Sequence, residues 1–291
     1  MKPASFVYHA PATAAETVAT LTELGEEGRV LAGGQSLVPL MNFRLAQPAH
    51  LVDINRVEEL DYVRADDGSL AIGARARQAA LERSSEARSL APLLVEAAKW
   101  VAHPPIRHRG TVCGSIAHAD PAAELPAAML AQGGEVVIAG GAGERRVPFA
   151  SLFLGPFSTA LQPGELLKEA RAERWPDDTG HAFVEVARRH GDFAVAGAAA
   201  LVHMDGPVIA RVALALFGVA ATPVRVGEAE RLLQGSSGSE DEIREAAEVA
   251  VRDLTPSSDI HGSGRYRIQV ARSCIRRALR EALTSARRHN G

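Results

Sequence analysis

Apolar and polar positions alternate along the chain with two periods, and the period changes from one stretch to the next. Val18, Leu21 and Leu24 recur at helical spacing behind Thr13-Ala14-Ala15-Glu16, which has the form of a capping box, and residues 25–28 end that helix. Val30, Leu31 and Ala32 form a short apolar run that breaks at Gly33-Gly34. Residues 37–45 are apolar with Arg44 interrupting, and residues 50–54 read as a second strand. A first α/β unit is therefore expected over residues 1–60.

A second unit is expected over residues 61–176. Residues 69–73 read as a strand after the Asp66-Asp67-Gly68 turn. Residues 90–101 read as a helix with Leu93, Leu94, Ala97 and Val101 on one face, stopped by Pro104-Pro105. The Gly- and His-rich residues 107–120 read as a loop. Residues 121–132 read as a helix in which Pro126 predicts a kink or short break. Residues 135–139 and 144–149 read as a hairpin around Gly140-Gly141, and residues 166–174 as a strand.

The pattern then changes. Residues 183–188 read as a strand, and residues 197–204 and 207–219 flank Asp205-Gly206, a strong hairpin signal. Ser239-Glu240-Asp241-Glu242 is a capping box leading into a helix over 243–251. A final helix over 266–288 carries the stripe Ile268, Ala271, Ile275, Ala278, Leu279 and Leu283. Strands followed by helices predict an α+β domain packed as a layer over residues 177–291, with the boundary in the polar stretch 175–180.

Composition narrows the function. Of 291 residues, 46% are hydrophobic, enough for a buried core. A formal charge of −3, from 32 basic and 35 acidic residues, argues against a dedicated nucleic-acid binder. Lysines occur only at 2, 99 and 168, which leaves few candidates for Schiff-base chemistry. Two cysteines, Cys113 and Cys274, cannot supply the four thiolates of an iron–sulfur cluster or zinc ribbon. No apolar leader-like segment is visible at the start and no stretch is long enough to span a membrane, so a cytoplasmic location is expected.

Two segments carry chemistry. In the first, Ala32, Gly33, Gly34, Gln35, Ser36 and Leu37 follow a short strand. Two glycines there let a ligand approach the backbone, and amides freed in such a loop can converge on one anion. With no lysine or arginine inside, the loop suits a pyrophosphate held by amides rather than a P-loop, and it lacks the G-x-G-x-x-G pattern of a Rossmann site. A plain Gly-Gly turn would have the same sequence. In the second, Thr111, Val112, Cys113, Gly114 and Ser115 repeat the theme, with Asp120 and Glu124 after them. These carboxylates either complement a helix start or accept hydrogen bonds from ligand hydroxyls. His118-x-Asp120 has no further ligand at matching spacing, so no metal site is expected. Two amide-rich loops in separate α/β units would grip a long, two-ended anion such as FAD.

Ala32–Gly33–Gly34–Gln35–Ser36 resembles the A-G-G-x-S motif of the FAD-binding medium subunits of molybdenum hydroxylases, the xanthine dehydrogenase and carbon monoxide dehydrogenase family. Thr111–Val112–Cys113–Gly114–Ser115 is similar to that family's T-[IV]-G-G-[NS], and A-D-P-A-A-E-L-P follows at 119–126. R-R-H-G-D-F-A at 188–194 and S-G-R-Y-R at 263–267 extend the resemblance in the same order over nearly the whole chain. The sequence departs from the motif at Cys113, where the family has its first glycine, and Glu185 lies near where some members carry a lysine.

The resemblance implies an α+β protein: two α/β FAD-binding subdomains of the vanillyl-alcohol-oxidase (PCMH) type, and a C-terminal α+β domain. It implies FAD as cofactor, with residues 32–36 on one side of the diphosphate and 111–115 on the other. Asp120 and Glu124 would reach polyol or ribose hydroxyls, and Leu166 or Leu167 would lie near adenine or flavin. It implies an electron-transfer subunit that takes electrons from a small [2Fe–2S] subunit beside a large molybdopterin-binding subunit and passes them to an external acceptor. Two other classes stand beside it. One is a self-contained FAD-dependent oxidoreductase, against which the 4% aromatic content argues. The other is a non-catalytic flavin-binding or interaction protein.

Overall fold

The computed structural model of the protein describes residues 2–289. Three sheets follow one another along the chain. The first is parallel, in the order β1-β3-β2, from β1 (Val7–His9), β2 (Gly28–Leu31) and β3 (His50–Asp53), with crossover helices α1 (Ala14–Leu24) and α2 (Leu37–Asn42). Thr13 caps α1 by accepting from the Glu16 amide at 3.1 Å.

The second sheet is antiparallel, in the order β4-β5-β10-β6-β7: β4 (Val63–Asp66), β5 (Ser69–Gly73), β6 (Gly134–Gly140), β7 (Gly143–Pro148) and β10 (Leu166–Glu173). Between β5 and β6 lie six helices: α3 (Gln78–Arg83), α4 (Ser85–Leu90), α5 (Pro92–Trp100), α6 (Pro104–Arg107), α7 (Val112–His118) and α8 (Glu124–Gln132). A small hairpin, β8 (Phe153–Gly155) and β9 (Ser158–Thr159), precedes β10.

The third sheet, β11 (Gly180–Val186), β12 (Ala196–Asp205), β13 (Val208–Phe217) and β14 (Val224–Arg225), is antiparallel in sequence order. Helices α9 (Gly227–Leu233), α10 (Glu240–Val251) and α11 (Gly264–His289) follow. This sheet is buried on both faces. Phe183, Ala199, Leu201, Ala213, Ala215 and Phe217 join the core of the first two units, whereas Val184, Ala198, Ala200, Val202, Leu214 and Leu216 pack with α9–α11. Two-sided burial explains why β12 and β13 read as continuous apolar runs rather than alternating ones. On the face turned to the first two units, the rings of Phe183 and Phe217 stack at 5.2 Å. No helix among the described residues is long and apolar enough to cross a membrane.

Four local expectations are corrected. Residues 107–120 are not a loop: the end of α6 and all of α7 lie there. Thr111 caps α7 by accepting from the Gly114 amide at 3.0 Å, and the buried Val112, Cys113 and Ile116 anchor it, an apolar stripe masked by the glycine and histidine around it. Pro104-Pro105 does not merely stop a helix; it starts α6, where a missing N–H costs nothing. Pro126 makes no break, because it sits in the first turn of α8. The stretch 175–180 is also not wholly polar: Trp175 is buried, donates from Nε1 to the Gln132 carbonyl at 2.9 Å, and lies under the Arg211 guanidinium at 3.7 Å.

Candidate functional site

The parallel sheet sets the site. Its strands β2 and β3 run side by side, so the loops leaving their carboxyl ends, residues 32–36 and 53–55, emerge together. Ligand crevices of open α/β sheets form at such strand ends. An open cleft of about 410 Å³ lies there, lined by Ala32 to Gln35, Asn42, Asp53, Asn55 and Arg109 among others.

The first loop is shaped to offer amides. Gly34 takes φ +72°, a left-handed conformation that favours glycine, and thereby turns the chain into α2. The amides of Gly33, Gly34, Gln35, Ser36 and Leu37 have no protein acceptor among the described residues. Ser36 stands at the cap position of α2 without spending its hydroxyl on a capping bond. Gln35 folds back, Nε2 donating to the Gly33 carbonyl at 3.2 Å, and Asn55 Nδ2 donates to the Ala32 carbonyl at 2.9 Å. Consecutive free amides beside a cleft are a site for an oxyanion.

The stretch leading into the second segment meets the first loop directly, whereas none of Thr111 to Ser115 lines the cleft. A Cβ on Gly33 would lie 2.5 Å from the Arg109 carbonyl oxygen and 2.7 Å from Gly110 Cα, so only glycine permits this approach. A Cβ on Gly114 would lie 2.5 Å from Thr111 Oγ1, so glycine is also what lets the α7 cap close. Cys113 points away from the cleft: its side chain is buried and its Sγ donates to the Ile72 carbonyl at 3.4 Å. Burial pushes the Cys113 thiol up, out of the range of a reactive thiolate. The departure from the glycine motif at this position therefore leaves the loop contact unobstructed.

The other expected site residues are spread differently. Asp120 accepts from the Ala122 amide at 2.9 Å and is half-buried. Glu124 is buried at the first position of α8, and burial pushes its carboxyl up to about 7. Glu185, on β11, is buried with Oε2 unpartnered, and burial together with the Glu124 charge pushes it up to about 8. Leu166 and Leu167 lie in β10, the middle strand of the second sheet, with side chains in the core, and neither lines the cleft.

Sequence reasoning missed the polar groups that close the site. Arg109 is exposed on the cleft and, among the described residues, in no ion pair. Asn55 and Arg77 hold loop atoms from behind. The signal available was positional: Asp53-x-Asn55 starts on the last residue of a strand that pairs in parallel with the strand before the glycine loop.

Comparison with known proteins gives the family of the chain. Residues 4–171 match the family described as the FAD binding domain in molybdopterin dehydrogenase, and residues 181–282 match the CO dehydrogenase flavoprotein C-terminal domain. The chain is 43% identical over 288 residues to the 6-hydroxypseudooxynicotine dehydrogenase complex subunit alpha of Paenarthrobacter nicotinovorans, covering 99% of this chain and 97% of that one. It is 37% identical to the carbon monoxide dehydrogenase medium chain of Hydrogenophaga pseudoflava, covering 97% and 98%. A solved structure of carbon monoxide dehydrogenase from Hydrogenophaga pseudoflava, lacking the Mo-pyranopterin moiety of the molybdenum cofactor, superposes with a TM-score of 0.96 at 38% identity, covering 98% of this chain and 99% of that one.

Proposed function

Because this chain belongs to the family of FAD-binding medium subunits of molybdenum hydroxylases, we propose that it serves as the electron-transfer subunit of such a complex, between a small [2Fe–2S] subunit and an external acceptor. A large molybdopterin-binding subunit would complete the assembly. Bound FAD supplies the redox chemistry. The protein's own contribution is to bind and orient the cofactor.

The chain's residues fit that task. The free amides of Gly33 to Leu37 and the unspent Ser36 hydroxyl would hold the diphosphate, with the exposed Arg109 guanidinium adding charge. Thr111 to Ser115 would close the opposite side through the amides of Thr111 and Cys113, which have no protein acceptor among the described residues, since the amides of Val112, Gly114 and Ser115 are already bonded and the side chains of Val112 and Cys113 are buried. Asp120 and Glu124 would take ligand hydroxyls; a Glu124 carboxyl pushed up to about 7 can donate a hydrogen bond as well as accept one. Residues 1–60 and 61–176 would form the two halves of the clamp, and 177–291 the domain that packs beside them. Both cysteines are buried and their thiols are pushed up, so neither is disposed to ligate a partner's cluster.

The observation that carries this reading is the contact of Gly33 with Arg109 and Gly110 beside five amides that have no acceptor among the described residues. Titration of the purified full chain with FAD, followed by quenching of flavin fluorescence, tests it. Gly34→Val and Gly114→Val are expected to abolish FAD retention while the C-terminal domain stays folded by circular dichroism. A Gly34→Val protein that stays yellow through gel filtration would remove the diphosphate from this loop.

A further inference from the structure

We propose that Arg77 and Asn55 form a latch that fixes the spacing of the two glycine-bearing loops, making both of them positioning residues for FAD. The inference rests on the cofactor placement above. Arg77 lies on the short link between β5 and α3, and its backbone bridges to Thr111 at the head of the second loop. On either side of that bridge, the Gln78 amide donates to the Gly110 carbonyl at 2.9 Å, and the Val112 amide donates to the Ala76 carbonyl at 3.1 Å. The backbone of residues 76–78 is thus fastened to the second loop.

The Arg77 side chain reaches Asn55, which in turn holds the first loop. One guanidinium nitrogen donates to the Arg109 carbonyl, and the other donates to Asn55 Oδ1 at 2.5 Å. The Asn55 amide nitrogen in turn donates to the Ala32 carbonyl at 2.9 Å. Asn55 is held in register from two sides. Asp53 Oδ1 accepts from its backbone amide at 2.8 Å, and Arg75 donates to its carbonyl at 2.9 Å. Asp53 is itself braced by Tyr8, whose hydroxyl donates to Oδ2 at 2.7 Å.

Without this chain of bonds the loops touch only by van der Waals contact. Among the described residues, no backbone hydrogen bond joins residues 32–36 to 109–115. The Gly33 contact sets how closely the loops can approach; the latch is what keeps them there. Arg77 also pairs with no carboxylate among the described residues. Both of its hydrogen-bond acceptors are neutral oxygens. A lysine could not replace it, because one ammonium lacks the fork needed to reach two acceptors at once.

The test uses the full chain as Arg77→Met, Asn55→Asp and the double variant, with FAD affinity measured by fluorescence titration and the melting temperature of the FAD-free protein measured in parallel. Asn55→Asp keeps the acceptor for Arg77 but sets a carboxylate oxygen against the Ala32 carbonyl. Each single variant is expected to raise the Kd for FAD about tenfold or more, and the double variant about as much as the worse single one, because the two residues act in series. Melting of the FAD-free protein should move far less than the FAD-induced rise in melting temperature, a split that a purely structural role would not produce. Unchanged FAD affinity in Arg77→Met, or effects that simply multiply in the double variant, would overturn the latch. If Arg77→Met does not fold, Asn55→Asp alone decides by the same criterion. Gly34→Val serves as the control: if it binds FAD normally, the cofactor placement fails; if it loses FAD while the latch variants keep it, only the latch fails.

Discussion

Gly33 packs its α-carbon against the carbonyl of Arg109, so closely that a side chain on Gly33 would begin 2.5 Å from that oxygen. Two segments separated by more than seventy residues thereby share one surface, and the cleft at the carboxyl ends of β2 and β3 gains a wall from the second unit. Gly33→Ala forces the backbones apart by about an ångström to relieve the overlap. The expected result is a Kd for FAD raised about tenfold or more with little change in the circular dichroism spectrum. Fluorescence titration checks it, and normal affinity would mean that the loop contact does not set the cofactor site.

Cys113 occupies a motif position usually held by glycine, yet its side chain faces the core and not the cleft. Cys113→Gly should therefore leave FAD affinity unchanged. It should cost about 2 kcal/mol of stability, from the lost burial of the side chain and the helix penalty of glycine. Denaturant unfolding gives the stability change. The native thiol should also resist iodoacetamide at neutral pH and react only after unfolding, because burial raises its pKa.

Glu124 and Glu185 face the seam between the first two units and the third sheet, and burial pushes their carboxyls up to about 7 and about 8. A carboxyl raised in the folded state binds its proton more tightly there than in the unfolded chain. Its contribution to stability is whole below the ordinary value of 4.5 and is lost as pH rises through about 8. Thermal unfolding between pH 5 and 9 should show this loss in the wild type. Glu185→Gln should flatten it and raise the melting temperature at pH 8 more than at pH 5. An unaltered pH profile would show that Glu185 is not the group responsible.

Arg267 is buried and donates to the Val195 carbonyl at 2.7 Å, the Gly218 carbonyl at 3.2 Å and Asp259 Oδ2 at 2.7 Å. It ties the start of α11 and the stretch before it to the ends of β12 and β13, and its charge holds Asp259 below the usual carboxylate range. Arg267→Met leaves the buried Val195 carbonyl and the half-buried Gly218 carbonyl without donors and should destabilise the chain by about 2–4 kcal/mol. FAD affinity at 10 °C should stay within about twofold, since none of these partners lines the cleft. This gives the S-G-R-Y-R motif a structural role that its sequence position alone does not reveal.

Much of the architecture was legible because it is written in local signals. The side-chain cap at Thr13, the capping box at Ser239, the Asp205-Gly206 turn and the apolar stripe of the last helix each depend on residues a few positions apart. Helix α7 was not legible, because its glycine and histidines resemble a loop until Thr111 Oγ1 is seen to cap it. Nor could the pattern separate the two faces of β12 and β13, since a strand buried on both sides loses its alternation.

The sequence by itself determined the amide-rich loop, the second glycine segment and the order of motifs that places the chain in its family, since these need only neighbouring residues of the right size and backbone freedom. Tertiary structure alone decided that Gly33 meets Arg109, that Cys113 turns inward and that Asn55 and Arg77 stand behind the cleft. Such relations depend on which strand ends are brought side by side. That is settled when the parallel sheet pairs β2 with β3 and the second unit closes over it, burying surfaces that no local stretch of chain can bury alone.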